Sequence, residues 1–233
     1  KPHIPIVYAV KNDDALKYVR DYALEQNAKP IELDREITVV SQDDEFTYRY
    51  KDYELETIIL NMLGEHQKEN AALAITALIE LNERQIIELD FNKMIDGIES
   101  VNWTGRIEQV KEQPLMVIDG AHNNESVKVL IDLLQSEYAD KEIELLFAAI
   151  DTKPIDGMLA QLKSVGDLTV TSFDYPNSVK LDKYPEAYNQ VPDFKTWIKG
   201  HVTTDNKKLY VVTGSLYFIS QVRKWVLEQA SDG

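Results

Sequence analysis

WTGRIEQVKEQPLMVIDGAHNN, residues Trp103 to Asn124, is the stretch whose reading decides the fold. It reads as a short arm carrying Trp103, Gly105 and Arg106. An apolar strand follows, Leu115-Met116-Val117-Ile118, and then a polar loop, Asp119-Gly120-Ala121-His122-Asn123, opening onto an amphipathic helix. In open α/β sheets, ligands sit beyond the carboxyl ends of the strands, where a helix start offers unpaired N–H groups and the positive end of its dipole. An ionised aspartate at such a strand end accepts hydrogen bonds only, and can take two from the adjacent hydroxyls of a ribose. Arg106 supplies a planar fork suited to phosphate oxygens. On chemistry alone this suggests a nucleotide site, and an ordinary solvated βα loop with a surface arginine explains the same residues equally well.

Downstream, the pattern is regular βα repetition. A helix from Asn124 to about Tyr138 carries Val127, Leu130, Ile131 and Leu134 on one face. Strands are expected at Ile143–Ile150, Leu168–Phe173 and Lys208–Val212, and polar helical regions near Lys183–Gln190 and Phe194–Lys199. The last strand ends in Thr213-Gly214-Ser215 and starts a closing helix, Leu216–Gln229. Four near-continuous apolar strands alternating with helices imply a parallel sheet covered on both faces.

Upstream, Ile4–Val10 is a β-rich run with nothing before it to pair with, so the sequence reads as part of a longer protein. Asn12 or Asp13 can cap the helix that follows. Short strands at 31–33, 37–40, 46–50 and 53–60 then form a small meander with a turn at Lys51-Asp52. Residues 71–79 read as a helix apolar all round and therefore buried, and a further helix covers about 91–100. On the first turn of the apolar helix, Gln67 and Asn70 share a face, and each side-chain amide offers the donor and acceptor that an adenine edge requires. Capping of orphan N–H groups is the simpler reading of the same spacing. The four histidines lie far apart in sequence, and His66 has no second histidine at i+4, so no metal motif forms. The boundary between the two halves belongs near Thr104–Gln109.

Composition sets the outer limits. The 233 residues are 44% hydrophobic, enough for one or two cores, and no apolar run approaches the length of a membrane span. A net charge of −15 without a basic cluster argues against a nucleic-acid partner. The absence of cysteine removes disulfides, thiolate metal sites and cysteine nucleophiles, and fits the cytoplasm.

Four motifs in order, G-E-H-Q-K-E-N (64–70), W-T-G-R-I-E (103–108), D-G-A-H-N (119–123) and T-G-S-L-Y (213–217), resemble those of the folylpolyglutamate synthase and dihydrofolate synthase family of Mur-type ligases. The resemblance covers nearly the whole chain. It implies an α/β architecture in which residues 1–106 are the later part of the Mur-type central ATP-binding domain. Residues 107–233 are then its Rossmann-like, mostly parallel C-terminal domain, which binds glutamate.

The implied reaction is ATP-driven amide formation on a folate, with dihydropteroate as the acceptor in the dihydrofolate synthase branch of the family. A folyl carboxylate takes the γ-phosphoryl group, and the amine of L-glutamate attacks the acyl phosphate. The resemblance places Gln67 and Asn70 near adenine, Arg106 on the ATP phosphates and Asp119 on the ribose. His122 falls beside the nucleotide or the acyl phosphate, and Lys153 and Ser215 near the incoming glutamate. It further implies a monomer and a magnesium ion bridging the phosphates.

Two departures stand out. The phosphate loop G-x-x-x-x-G-K-[ST] and the acidic and histidine positions that hold magnesium in the family are absent, so the metal ligands belong upstream and this chain alone is expected to be inactive. Asn177 also stands where the family suggests an arginine. Part of a folate ligase, part of another Mur-type amino-acid ligase, and a noncatalytic nucleotide-binding module are the three readings.

Overall fold

The computed structural model describes residues 2–152 and 154–231. The chain divides into two compact units, Lys1–Asn102 and Trp103–Gly233.

In the first unit, β1 (Ile6–Tyr8) and β2 (Pro30–Glu32) pair in parallel through the crossover helix α1 (Asp13–Glu25). The Asn12 side chain caps that helix by accepting from the Ala15 N–H at 3.0 Å. β1 is shorter than the expected 4–10 run because Pro5 has no N–H to donate and β2 offers only three residues of partner. β3 (Ile37–Gln42), β4 (Glu45–Tyr50) and β5 (Tyr53–Ile59) form an antiparallel meander whose turns place Asp43 and Lys51 at positive φ.

The helices α2 (Glu65–Glu83) and α3 (Phe91–Glu99) complete the unit. α2 corrects one expectation. It is not buried all round: Ala72, Ile75 and Ile79 face the core with Phe46, Tyr48 and Ile58, while Ala74 is exposed. The small alanines that made 71–79 look uniformly apolar also serve on a wet face, and alanine is the strongest helix former wherever it sits.

Glu80, on the core side of α2, accepts from Tyr50 Oη at 2.5 Å and Lys51 Nζ at 2.6 Å, with Lys29 Nζ at 3.8 Å. Burial pushes its carboxyl up. The hydrogen bonds from Lys51 and Tyr50 and the lysine charges outweigh this and leave it below the ordinary value of 4.5. A depressed carboxylate contributes stability above its unfolded pKa and loses it as pH falls through the folded one. Urea midpoints should therefore fall as the pH drops below about 4.5, and Glu80→Gln should flatten that part of the slope. An identical acid slope in the variant would show that Glu80 does not report the network.

In the second unit, β6 (Glu108–Lys111), β7 (Met116–Asp119), β8 (Glu142–Ala148), β9 (Asp167–Thr171), β10 (Asn189–Val191) and β11 (Lys208–Gly214) make one sheet in the order β10-β9-β8-β11-β7-β6. Every pairing among the described residues is parallel except β6 with β7. Helices α4 (Asn124–Glu137) and α5 (Asp156–Lys163) cover one face, packing Leu130, Leu134 and Leu159 on Val117, Leu145, Val170 and Val211. α6 (Phe194–His201) and α7 (Leu216–Ser231) cover the other, where Trp197, Phe218 and Val222 meet Ile118, Leu146 and Val212. Successive strand residues thus alternate between two buried faces, which is why the four inner strands read as near-continuous apolar runs.

Two elements depart from expectation. Residues 183–190 are not helical: a 3-10 turn at Leu181–Lys183 precedes β10, which extends the sheet beside β9. The arm past Ile107 becomes the edge strand β6, and the first compact unit ends at Asn102, just ahead of the arm.

Candidate functional site

β7, β11 and β8 are neighbours in the sheet, and their carboxyl ends lie together: Thr213 stands beside Asp119, and Gly214 beside Ala148. The loops leaving these strands build the site. After β7, the Asn123 side chain accepts from the Ser126 N–H at 2.8 Å, and Ser126 Oγ accepts back from the Asn123 N–H at 3.2 Å, a reciprocal cap that fixes the start of α4.

Asp119, only 6% exposed, turns its carboxylate onto the backbone. One oxygen accepts from the Ala121 N–H at 2.8 Å, the other from the Ile107 N–H at 3.0 Å. Burial pushes this carboxyl above its ordinary value; the Ile107 hydrogen bond, the Arg106 charge and the Ala121 hydrogen bond hold it back. Each oxygen keeps a lone pair beyond these two bonds.

The arm is laced to the same loop. The Gly120 N–H donates to the Gly105 carbonyl at 2.8 Å, the Gly105 N–H donates to Glu108 Oε2 at 2.8 Å, and the Arg106 N–H closes a turn onto the Trp103 carbonyl at 3.1 Å. Gly105 sits at φ 74° and Ile107 at φ 44°, a left-handed conformation that a β-branched side chain rarely adopts. Arg106 is half-buried, and its guanidinium donates no hydrogen bond and makes no ion pair with any described residue. Its fork is open to a ligand.

His122 Nδ1 lies 2.7 Å from the Gly120 carbonyl. A carbonyl only accepts, so the geometry assigns a proton to Nδ1 and leaves Nε2 as the ring nitrogen not committed to this carbonyl. His122 lines a pocket of about 230 Å³ together with Ile150, Met158, Ser215, Leu216 and Tyr217. Gly214, at φ 121°, delivers the chain to Ser215, whose N–H donates to the Ala148 carbonyl at 2.9 Å. Ser215 then starts α7: its hydroxyl accepts from the Tyr217 N–H at 3.3 Å and its carbonyl from the Ile219 N–H at 2.9 Å. At the pocket mouth the Tyr217 ring, 53% exposed, stacks on Tyr175 with centroids 4.2 Å apart. A hydrogen bond to Tyr217, with burial second, holds the Tyr175 hydroxyl above its ordinary value.

The second unit therefore gathers Arg106, Asp119, His122 and Ser215 on one sheet edge. Lys153 lies outside the described residues. Asn177 is exposed, and its carbonyl accepts from the Asp151 N–H at 2.7 Å.

In the first unit, Gln67 and Asn70 stand on the first turn of α2. The Asn70 amide donates to Gln67 Oε1 at 3.3 Å, and Gln67 Nε2 donates to His66 Nε2 at 3.0 Å. They do not cap: the cap position is Gly64, with no side-chain hydrogen bond. Capping, the simpler reading of that spacing, is thus not what these two side chains do, and Asn70 stays exposed. Among the described residues no three carboxylates or histidines converge to hold a metal ion, so these residues make no all-protein metal site of their own.

Sequence reasoning passed over the Ile107 conformation, the Tyr175–Tyr217 stack and the grip of Arg223 on Glu108, a pair 115 positions apart at 2.7 and 3.0 Å. The only readable trace of the last is the i, i+3, i+7 spacing of Leu216, Ile219 and Arg223 on α7.

No protein-family model matches the chain. It is similar to the dihydrofolate synthase/folylpolyglutamate synthase of Bacillus subtilis, 31% identical over 242 residues that cover 96% of this chain and 55% of the relative. It is also similar to the folylpolyglutamate synthase of Lacticaseibacillus casei, 25% identical across 97% of this chain and 55% of that one. The chain thus spans about half the length of the curated relatives it matches. Its fold superimposes on the folylpolyglutamate synthase of Mycobacterium tuberculosis complexed with ADP and AMPPCP, with a TM-score of 0.79 at 21% identity over 92% of this chain and 53% of the other.

Proposed function

Because this chain is a homologue of the dihydrofolate synthase/folylpolyglutamate synthases, we propose that it works as part of a longer ATP-dependent ligase that adds L-glutamate to folates. Residues 1–106 serve as the later part of its ATP-binding domain and residues 107–233 as the C-terminal domain, in a cytoplasmic monomer. The observation that carries this reading is the match along nearly the whole chain, and the open fork of Arg106 beside Asp119 and His122 supports it.

In this ligase a folyl carboxylate oxygen attacks the γ-phosphorus of ATP and ADP leaves with the bonding pair. The glutamate amine then attacks the acyl carbon, phosphate departs with the C–O electrons, and the amine gives up a proton. Arg106 grips the phosphates with two parallel N–H donors, and its contact strengthens as charge shifts toward the leaving group. Gln67 and Asn70 face adenine. Asp119 takes a ribose hydroxyl on a remaining lone pair. The Nε2 of His122 orients the acyl phosphate's neighbourhood or accepts a proton there. Ser215 and Lys153 hold glutamate. Magnesium, when bound, neutralises phosphate charge; its ligands belong to other residues of the longer protein.

The test is incorporation of labelled L-glutamate into folate by the longer protein with ATP, against the same protein carrying Arg106→Ala. Turnover should fall about tenfold in the variant, with the Michaelis constant for glutamate little changed, as expected for one charge-assisted contact in the transition state. The 233-residue chain alone should release no ADP. Folate-dependent ADP release from it would overturn the reading of the missing phosphate loop, and unchanged turnover in Arg106→Ala would overturn the phosphate contact.

A further inference from the structure

α7 does more than start at Ser215. Leu216, Ile219 and Arg223 share one face of the helix, and that face meets three points of the site in succession. A side-chain carbon placed on Gly120 would lie 2.2 Å from Leu216 Cδ2, and one on Gly105 would lie 3.3 Å from Ile219 Cγ2. One further turn along, Arg223 Nε donates to both oxygens of Glu108, at 2.7 and 3.0 Å. Glu108 Oε2 also accepts from the Gly105 N–H at 2.8 Å. Glu108 thereby closes a loop of four residues whose middle members are Arg106 and the left-handed Ile107. A β-branched residue keeps such a conformation only where its surroundings over-determine it. Here the holds are Asp119 on the Ile107 N–H and the Glu108–Arg223 pair on the other side of the turn.

We infer that Arg223 is a positioning residue of this site: its grip on Glu108 holds the strained Gly105–Ile107 turn and so aims the Arg106 guanidinium. The pair is partly shielded, with side-chain exposures of 35% for Arg223 and 21% for Glu108, so it is screened less than a surface pair. The consequence for ligand binding rests on the proposed contact of Arg106 with phosphate; the hold on the turn does not.

Two measurements on the 233-residue chain separate these. The first is amide hydrogen exchange by NMR in wild type, Arg223→Leu and Glu108→Gln, the last keeping an acceptor for Gly105 while removing the charge pair. The Gly105 and Ile107 amides should exchange about tenfold faster in both variants while amides of β8 and β11 keep their protection, because opening is local rather than global. Unchanged exchange at Gly105 and Ile107, or an equal acceleration in β8 and β11, overturns the inference, and Glu108→Gln decides the matter should Arg223→Leu not fold.

The second is titration with tripolyphosphate, followed at the Arg106 Nε–Hε signal. A shift in wild type that weakens several-fold in Arg223→Leu is expected. No shift in wild type overturns the phosphate contact of Arg106 and leaves the hold on the turn to the exchange data. An equal shift in both proteins overturns the aiming of Arg106 by Arg223.

Discussion

Gly214→Ala should destabilise the second unit by about 3–5 kcal/mol, because backbone strain and a backbone clash fall on the same residue. Gly214 ends β11 at φ 121°, a region that alanine enters only with strain of about 1–3 kcal/mol. The added carbon would also lie 2.1 Å from the Ala148 carbonyl oxygen and 3.0 Å from its carbon, both backbone atoms that no rotamer change can move aside. Relief requires β8 and β11 to part at their carboxyl ends, where Gly214 pairs with Ala148 and the Ser215 N–H donates to the Ala148 carbonyl. Because that bond seats Ser215 at the pocket, the variant should lose the shape of the pocket as well as stability. Urea unfolding of wild type and variant, with β8 and β11 amide exchange, reads both. Gly200→Ala is the control: nothing lies within 4 Å of its added carbon, so it should be neutral or stabilising. A Gly214→Ala midpoint within error of wild type would mean that the two strand ends can separate freely.

The elements legible in the sequence were those whose pattern answers to local rules. β7, β8, β9 and β11 are buried on both faces, and their sequences show it as near-continuous apolar runs. α4 announced itself by Val127, Leu130, Ile131 and Leu134 on one stripe and by an asparagine at its cap. β6 and β10 did not, because edge strands of three or four residues with exposed polar positions owe their extended state to the neighbour that pairs with them.

The site divides in the same way. Asp119, His122 and Ser215 were readable as strand-end and helix-start residues, because a βα loop puts such residues there whatever the rest of the chain does. Which donors Asp119 would meet was not readable: a carboxylate advertises that it accepts hydrogen bonds, and only the fold decides that two backbone N–H groups arrive first. Nor does any local pattern mark the link between Glu108 and Arg223, since it exists only once α7 lies against β6 and β7.

Asp119→Ala brings the structural and chemical claims on this site to one residue, and both of its expected effects are large. Truncation leaves the Ala121 N–H buried without an acceptor and frees the Ile107 N–H, whose bond opposes the strain at φ 44°. At about 1–3 kcal/mol for the stranded Ala121 donor and about 1 kcal/mol for the lost Ile107 bond, the second unit should lose about 2–4 kcal/mol.

Asp119→Asn separates charge from geometry. Burial raises the Asp119 carboxyl, so its contribution to stability is fully present below the ordinary 3.8 and is lost as pH rises through the folded value. The amide variant has no such titration and lacks one acceptor. The stability of wild type relative to Asp119→Asn should therefore be greatest at acid pH and shrink toward neutrality; a difference that grew with pH would show the carboxylate to be stabilised by its surroundings rather than strained by burial. In the longer ligase, Asp119→Ala should raise the Michaelis constant for ATP by an amount equivalent to about 1.5–3 kcal/mol and leave that for glutamate nearly unchanged. Circular dichroism and substrate-saturated assays at low temperature keep the folding loss apart from the binding loss. A variant with an unchanged constant for ATP and a raised one for glutamate would assign this loop to the amino acid. One in which both stay unchanged while stability falls would leave Asp119 a strut between the Arg106 turn and the His122 loop, with no ligand of its own.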